Sequence, residues 1–232
     1  MFTIVRRMTS TSIPARGRPP RLSRDRALRT ALDLLDRSGL DALTMRRLAD
    51  ALEVRAGALY RYFATKQDLL TAMAERMMEG VTEAAAEGGE SDWGERLAAL
   101  ARAMRTALLA HRDGARVFAG THATGANILG YADTVVGLLR EAGFTDDDAA
   151  RALYTVANFT VGHTLEEQAA LHPGEDRPAD PGLLRDAVEA GAYPHLGATL
   201  PALASGDFDR LFEFGLGLLV DGLRARRRPG GE

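Results

Sequence analysis

The fold of this chain is decided by residues 44–63, which read TMRRLADALEVRAGALYRYF. The apolar residues at 45, 48, 49 and 52 fall at i, i+3, i+4 and i+7, the spacing of one helix face. Leu59 and Phe63 are four residues apart and can pack on that face, with Val54 in the corner. Two short helices joined by a tight turn predict a helix-turn-helix, whose second helix fits the major groove of DNA.

The second of these helices is predicted to read the DNA. Its small residues let the backbone approach closely, and its tyrosine and arginine side chains supply hydrogen-bonding groups. The residues that it would expose are Ala56, Gly57, Ala58, Tyr60, Arg61 and Tyr62.

The positive charge of the chain lies at one end. Residues 1–66 hold 14 Arg and Lys against 6 Asp and Glu, whereas the remainder holds 15 against 26. Such a distribution is typical of a protein that binds a polyanion with its basic end alone. Lys66 is the only lysine and follows Thr65, a predicted helix N-cap with Asp68 as its box-like acidic partner. A lysine at a helix start opposes the helix dipole, which makes sense if a phosphate binds there.

The first residues form a predicted disordered basic arm, because they contain five arginines, three prolines and no acid. Within the arm, Arg16-Gly17-Arg18-Pro19 resembles the core of an AT-hook, so Arg16 and Arg18 are candidates for minor-groove contacts. The alternative is a solvated tail that adds only non-specific attraction to phosphates.

Composition limits the remaining classes of protein. The chain has 232 residues, of which 46% are hydrophobic, so it can bury a core. It has no cysteine, which excludes disulfides, thiolate metal sites and a cysteine nucleophile. No secretory signal is visible, and the longest apolar stretch, 214–220, is too short to span a bilayer. We expect a cytoplasmic protein that does not bind membranes.

Beyond residue 65 the pattern is helical almost throughout, and no alternating strand pattern competes with it. The fold class predicted is therefore all-α, with a loop at 172–180. The predicted helices are 66–87, one that starts at 91–92, 112–119, 127–141, 146–171, 181–190 and 207–226.

The pattern Leu43-Thr44…Leu48-Ala49…Leu52-x-Val54…Leu59-Tyr60-x-Tyr62-Phe63…Lys66…Leu69-Leu70 resembles the DNA-binding domain of the tetracycline-repressor (TetR) family. The resemblance implies that Arg46 contacts a guanine and that Tyr60 and Lys66 contact phosphates. Two positions depart from the family pattern. Glu53 replaces the usual turn glycine, and Arg55 replaces the usual Ser or Thr cap, each at a cost of about 1 kcal/mol.

The rest of the chain resembles a C-terminal domain of the tetracycline-repressor type. The residues that carry this resemblance are HRDGARV at 111–117, FTVG at 159–162 with Leu165, Glu166 and Gln168, and FGL at 214–216 with Leu218, Gly222 and Leu223. It implies an Ω-shaped helical homodimer with a ligand tunnel in each core. We therefore divide the chain into a basic arm (1–22), a three-helix helix-turn-helix domain (23–70) and a ligand-binding and dimerisation domain (71–232).

The same resemblance implies a set of ligand-binding residues. They are Thr82, Leu100, Met104, Phe118, Thr121, His122, Val135, Leu139, Phe159, His163 and Glu166. Phe118 stands where the tetracycline-sensing members have the histidine that holds a drug–magnesium chelate, and an apolar ring cannot ligate Mg²⁺. Leu100 and Met104 stand where those members have an asparagine and a phenylalanine. We expect a ligand-responsive repressor, released from a pseudo-palindromic operator by a small hydrophobic, polycyclic effector without metal or cofactor.

Other interpretations remain open. One is a tetracycline–magnesium sensor, and another is a ligand-independent architectural DNA-binding protein. His163, Glu166 and Glu167 are close enough on one helix to hold a cation, although no second cluster accompanies them. A carboxylate oxidase would need paired Glu-x-x-His motifs on facing helices, and only a single reversed arrangement is present, so we expect no enzyme.

The last predicted helix indicates a homodimer. Repeated glycine inside a helix is costly and argues for close packing. The apolar, glycine-bearing face comprises Leu211, Phe214, Gly215, Leu218, Leu219 and Gly222, and the 146–171 helix offers Leu153, Val156, Ala157 and Val161. Two such helices from each subunit would form a four-helix interface with two-fold symmetry. The alternative is that both faces pack within one subunit.

Overall fold

The structure, a computed structural model, describes residues 22–86, 92–121, 124–171, 181–191 and 193–227. These residues form helices and no strand, which confirms the all-α prediction. The helices are α1 (Arg24–Ala42), α2 (Met45–Ala51), α3 (Ala56–Leu59), α4 (Lys66–Met77), α5 (Val81–Ala86), α6 (Trp93–Leu109), α7 (Gly114–Ala119), α8 (Ala126–Glu141), α9 (Asp146–Leu171), α10 (Pro181–Ala190), α11 (Pro194–Leu203) and α12 (Phe208–Arg226). The arm at 1–21 and the predicted loop at 172–180 lie outside the described residues.

Helices α1 to α3 close a small apolar core at the basic end. Ser23 caps α1 through its hydroxyl, which accepts a hydrogen bond from the Arg26 amide. The helix is interrupted at Gly39, whose φ of 76° only glycine adopts without strain, and its last turn continues to Ala42. Leu59 and Phe63 are buried with the inner face of α2, as the residue spacing predicted.

Helix α4 is shorter than predicted. It begins at Lys66 with the expected capping box, in which the side chains of Thr65 and Asp68 each accept a bond from the other's backbone amide. It ends at Met77 instead of continuing to residue 87, because Gly80 takes a φ of +77° and the chain restarts as α5 at Val81. The apolar periodicity continues across this turn, so the prediction of one long helix was wrong.

Two further differences follow from local backbone geometry. Helix α7 begins at Gly114 rather than 112, because Asp113 takes a left-handed φ of 59° in a tight turn after α6. Helix α11 was not predicted at all. Its segment is rich in small residues and contains Pro201 inside the helix, and every described side chain in it is at least partly exposed.

Helix α6 lies at the centre of the C-terminal half and packs against α5, α7, α8, α9 and α12. The long helix α9 contacts α6, α7, α8 and α12, so α6 and α9 together organise this part of the molecule. Helix α4 leaves the basic end and contacts both α7 and α8. Among the described helices, none is long and apolar enough to cross a membrane.

Candidate DNA-binding surface and ligand-binding core

The surface around α3 presents the residues that the sequence pattern selected. Gly57, Tyr60 and Arg61 are exposed, and Ala56 and Ala58 are half-buried. A side chain added at Gly57 would meet no described atom within 4 Å, so the backbone of α3 is open to an approaching molecule. This surface has the small, uncovered backbone that major-groove contact requires.

Tyr62 has a structural bond that the sequence did not indicate. Its hydroxyl donates a 2.8 Å hydrogen bond to the Leu22 carbonyl just before α1. Beside it, the Arg24 guanidinium lies 5.3 Å from the centre of the Phe63 ring. Tyr62 therefore also ties α3 to the start of α1, and its ring remains partly exposed.

The two basic residues with predicted DNA roles are both exposed. Arg46 lies in the first turn of α2 and Lys66 is the first residue of α4. At the position of Lys66, the start of a helix, backbone amides and a cation can face the same phosphate group. Arg16 and Arg18 lie outside the described residues.

The DNA-binding end is joined to the core by hydrogen bonds to the turn between α6 and α7. The Asp36 carboxylate accepts bonds from the Arg112 amide, at 3.1 Å, and from His111 Nδ1, also at 3.1 Å. In the reverse direction, the Leu40 amide donates a 2.8 Å bond to Asp113. Helix α1 therefore supplies the Asp36 carboxylate to N–H groups of the α6–α7 turn, and that turn supplies the Asp113 carboxylate to an N–H group of α1.

Two further contacts extend the joint along α7. Arg116 forms an ion pair with Asp41 at 3.0 Å, and this hydrogen bond lowers the pKa of Asp41. At the other end of α7, the side-chain amide of Gln67 donates a 2.7 Å hydrogen bond to the Gly120 carbonyl. Helix α7 is thus tied to the DNA-binding end through both α1 and α4.

Glu75 of α4 caps helix α8. Its carboxylate accepts bonds from the amides of Asn127, at 2.6 Å, and Ile128, at 3.2 Å. The Asn127 side chain returns a bond to the Glu75 carbonyl. Because a side chain at Gly125 would collide with Glu75, the two helices approach closely here. A carboxylate at a helix N-terminus satisfies free amides and complements the helix dipole.

Four of the predicted ligand-binding residues form part of the apolar interior between α6 and α8. These are Leu100, Met104, Val135 and Leu139, all buried. Phe118 on α7 and Thr82 on α5 are half-buried, and Phe118 packs against the same core. Thr121 is also half-buried, and its hydroxyl donates to the Phe118 carbonyl. His122 lies outside the described residues.

The three predicted ligand residues on α9 lie in a different environment. The Phe159 ring stacks on Phe212 of α12, with centroids 5.4 Å apart. His163 Nε2 lies 2.9 Å from the Phe208 carbonyl, so in this arrangement it is the donor. Glu166 is exposed. Phe159 and His163 therefore pack against α12 in this chain.

The inward-facing acid of α9 is Glu167, which the sequence analysis did not select as a ligand-binding residue. Its carboxylate receives two bonds from the Arg105 guanidinium, at 2.8 and 2.9 Å, in a pair whose side chains are only 13% and 11% exposed. The same guanidinium bonds Asp209 and lies over the Phe212 ring. A paired, bidentate carboxylate of this kind joins α6, α9 and α12, and its oxygens are already engaged.

The described residues contain no group of three His, Asp or Glu side chains placed to hold a metal ion. His163 is bonded to a backbone carbonyl and Glu167 to Arg105, while Glu166 is exposed. The three side chains that the sequence offered as a cation site thus do not converge.

Tyr131 on α8 is a buried residue that the sequence analysis did not select. It lies one turn before Val135 on the buried face of the helix, and no described atom forms a hydrogen bond with its hydroxyl. The signal was available, because residues 131, 135, 138 and 139 share one face of α8.

The face predicted for dimerisation divides into two parts. A side chain at Gly215 would collide with Phe159 of the same chain, so this glycine serves packing between α12 and α9 within the subunit. Val156 is buried in the core of its own subunit. Large hydrophobic side chains that remain exposed on α9 and α12 are Tyr154, Leu171, Leu211, Phe214 and Leu218. Between the two helices runs a groove of about 430 Å³.

Comparison with protein families identifies both halves of the chain. The family described as "Bacterial regulatory proteins, tetR family" matches residues 27–73, and "Tetracyclin repressor-like, C-terminal domain" matches residues 85–227. The chain is 42% identical over 208 residues to the tetracycline repressor protein class A from transposon 1721 of Escherichia coli, which covers 89% of this chain and 93% of that repressor.

Two solved structures extend the comparison. A possible TetR family transcriptional regulator from Streptomyces coelicolor A3(2) is 71% identical, with a TM-score of 0.83 over 88% of this chain and 100% of that one. The Streptomyces coelicolor TetR family protein ActR in complex with (S)-DNPA is 30% identical, with a TM-score of 0.78 over 89% of this chain and 99% of that one.

Proposed function

Because the chain belongs to the TetR family of bacterial regulators, we propose that it is a transcriptional repressor that binds a pseudo-palindromic operator as a homodimer. The repressor would leave the operator when a flat, largely apolar effector enters its core. The observation that carries this proposal is a set of hydrogen bonds between an exposed helix-turn-helix and the C-terminal half. Glu75 of α4 bonds the start of α8, and Asp36 and Leu40 of α1 bond the turn between α6 and α7, so both sets reach helices that enclose the buried α6–α8 interior. The domain division that we propose places the DNA-binding domain at 23–70 and the effector and dimerisation domain after it.

The DNA-binding role rests on α3 and the basic residues beside it. Ala56, Gly57 and Ala58 of α3 would enter the major groove together with Tyr60, Arg61 and Tyr62 of the turn that follows it. Arg46 would contact a base and Lys66 a phosphate. The net positive charge of residues 1–66 supplies the attraction to DNA that does not depend on sequence.

The nature of the effector is inferred from the interior of the C-terminal half. Leu100, Met104, Val135 and Leu139 are apolar and buried, and Phe118 adds an aromatic ring beside them. A thioether adapts its shape to flat rings and packs well on them. ActR, a relative with 30% identity, forms a complex with the small molecule (S)-DNPA.

A tetracycline–magnesium sensor is the second candidate, and the 42% identity to the class A tetracycline repressor favours it. Phe118 argues against it. A magnesium chelate needs a ligand with a lone pair at this position, and a phenyl ring has none to offer.

The dimer would use the exposed apolar side chains of α9 and α12. Exposed hydrophobic side chains on two adjacent helices, Tyr154 of α9 and Leu211, Phe214 and Leu218 of α12, are typical of a protein–protein interface. A homodimer with two-fold symmetry also matches the two half-sites of a pseudo-palindromic operator.

Release of the repressor from DNA would follow from a population shift between two arrangements of the protein. The effector must bind one arrangement of the core better than the other, and that difference limits how far the DNA-binding ends can be moved. Glu75 at the start of α8 and the bonds of Asp36, Asp41 and Gln67 to the α6–α7 region are the contacts available to transmit the change.

The test is an operator-release assay. An operator is first selected from random duplex DNA, and its affinity is measured by fluorescence anisotropy. Planar polycyclic compounds are then added in EDTA, and tetracycline is added in magnesium with and without EDTA. We expect release in EDTA by at least one polycyclic compound. Release only by tetracycline with magnesium would contradict the metal-free effector, and release by no compound would favour the architectural protein.

A further inference from the structure

The hydroxyl of Tyr131 is one of two buried side-chain polar atoms without a hydrogen-bond partner among the described residues, and the other is Arg112 Nε in the turn between α6 and α7. Tyr131 is 5% exposed, and within the described ranges its hydroxyl oxygen has no hydrogen-bond partner. Folded proteins leave few buried polar groups unpaired, because each has lost its bonds to water without replacement. The group therefore calls for an explanation.

The buried polar side chains of α9, by contrast, are satisfied. Thr160 and Thr164 each donate to the carbonyl four residues earlier in α9. Gln168 donates to the Leu108 and His111 carbonyls, and its carbonyl accepts the Ala115 amide. The fold thus pairs the buried polar side chains of α9 but leaves the Tyr131 hydroxyl without a partner among the described residues.

The position of Tyr131 connects it with the proposed effector site. On the buried face of α8 it precedes Val135 by four residues and Leu139 by eight, so the three side chains lie in a row along one helix face. This row packs into the interior that α8 shares with α6, the helix that carries Leu100 and Met104. In a row of hydrocarbon side chains, a single phenol hydroxyl would be the polar group that a bound molecule meets.

We propose that Tyr131 is the specificity-determining residue of the effector site, an inference that rests on the proposed function. Its hydroxyl would bond an oxygen on the edge of a flat polycyclic effector, such as a quinone carbonyl or a phenol. Burial also raises the pKa of the Tyr131 hydroxyl, so it keeps its proton and is available as a donor. A site with a buried hydrogen-bonding group selects against analogues that lack the matching group, since the protein group is then left unpaired.

The experiment compares Tyr131→Phe with Tyr193→Phe, a matched control that removes an exposed phenol hydroxyl just before α11. Operator release is measured for hydroxy- and keto-substituted tricyclic and tetracyclic aromatics, each paired with the analogue that lacks the oxygen. In the wild type we expect the oxygenated member to act at about tenfold lower concentration, the factor of one hydrogen bond. Tyr131→Phe should abolish this difference, keep the operator affinity of the free protein, and unfold at an unchanged or higher temperature. Tyr193→Phe should behave as the wild type.

Each other outcome has a defined meaning. If Tyr131→Phe retained the preference for the oxygenated compounds, the assignment of Tyr131 would be wrong while the proposed repressor function stood. A lower unfolding temperature for Tyr131→Phe would also overturn it, because the hydroxyl would then have a structural partner. If no compound released the wild type from its operator, the proposed effector response itself would fail, and the role of Tyr131 with it.

Discussion

At the scale of single residues, the turn between α2 and α3 contains a strained position. Glu53 takes a φ of 56°, and its amide bonds the Asp50 carbonyl while the Val54 amide bonds that of Ala49. This pattern is a Schellman motif, in which glycine is the usual residue at the left-handed position. The expected absence of a cap at Arg55 is also found, since Arg55 makes no side-chain bond to the start of α3 within the described residues.

We expect Glu53→Gly to stabilise the protein by up to about 1 kcal/mol. Glycine removes the steric cost of the left-handed conformation, although its greater freedom in the unfolded chain offsets part of the gain. Urea unfolding measures the change. Glu53→Ala serves as the control, because it removes the carboxylate and keeps the strain. If Glu53→Ala stabilised as much as Glu53→Gly, charge rather than backbone strain would be the cause.

Alanine substitutions of Arg46 and Lys66 are expected to weaken DNA binding in different ways. Arg46→Ala should cost about 1–3 kcal/mol of operator affinity and relax sequence preference at one base pair in each half-site. Lys66→Ala should weaken all DNA sequences equally and reduce the slope of log affinity against log salt by about one unit. Salt titrations with the operator and with a set of single-base variants separate the two effects. Identical profiles for both variants would refute the assigned roles.

At the scale of elements, helix α8 connects the proposed effector site with helix α4. Its N-terminus is capped by Glu75 of α4, and its buried face carries Tyr131, Val135 and Leu139. Helix α4 in turn begins at Lys66, beside the DNA-binding surface. Because packed helices move as rigid units, a shift of α8 would be transferred to α4 at this cap.

Glu75→Gln is therefore expected to reduce the response to effector more than the affinity for DNA. The substitution keeps the size of the side chain but removes the charge, and one of its two acceptor oxygens becomes a donor NH₂ group. The loss of stabilisation at the start of α8 is expected to be about 1 kcal/mol. The ratio of operator affinities with and without effector measures the coupling. Glu79→Gln is the control, since Glu79 is exposed and pairs only with Arg76 among the described residues. Equal coupling in both variants would exclude the cap as a transmitter.

At the scale of the whole molecule, the exposed hydrophobic surface has no partner among the described residues. Phe214 is 69% exposed on α12, and Leu218 lies one turn further along the same helix. Glycine at 215 allows α12 to lie close against α9, which sets the orientation of this outward face. The dimer that we propose would bury it.

Phe214→Glu is expected to produce a monomer, because two carboxylates would be buried near the two-fold axis of the interface. Loss of the second half-site contact should then weaken operator binding by roughly a hundredfold or more. Light scattering after size exclusion gives the mass, and anisotropy gives the affinity. Leu129→Glu, at an exposed leucine of α8, is the matched control and should remain a dimer. A dimeric Phe214→Glu with full affinity would place the interface elsewhere.

The sequence by itself determined the features that depend on residues close together in the chain. The helix-turn-helix packing of Leu59 and Phe63, the capping box of Thr65 and Asp68, and the strain at Glu53 were all predicted, because their causes lie within a few residues. The family followed from the same short patterns. Residue spacing failed at Gly80, where an unbroken apolar pattern conceals a left-handed turn. At α11 the leucines at 196, 200 and 203 have helical spacing, but the glycine and proline among them favour a loop.

Only the tertiary structure decided which distant residues meet. Glu75 caps a helix that begins some fifty positions later, and Glu167 rather than Glu166 turns inward to Arg105. The unpaired hydroxyl of Tyr131 is likewise visible only when all of its neighbours are in place. Spacing along a chain fixes the face of a helix on which a side chain lies, but the partner opposite that face is set by how the helices pack.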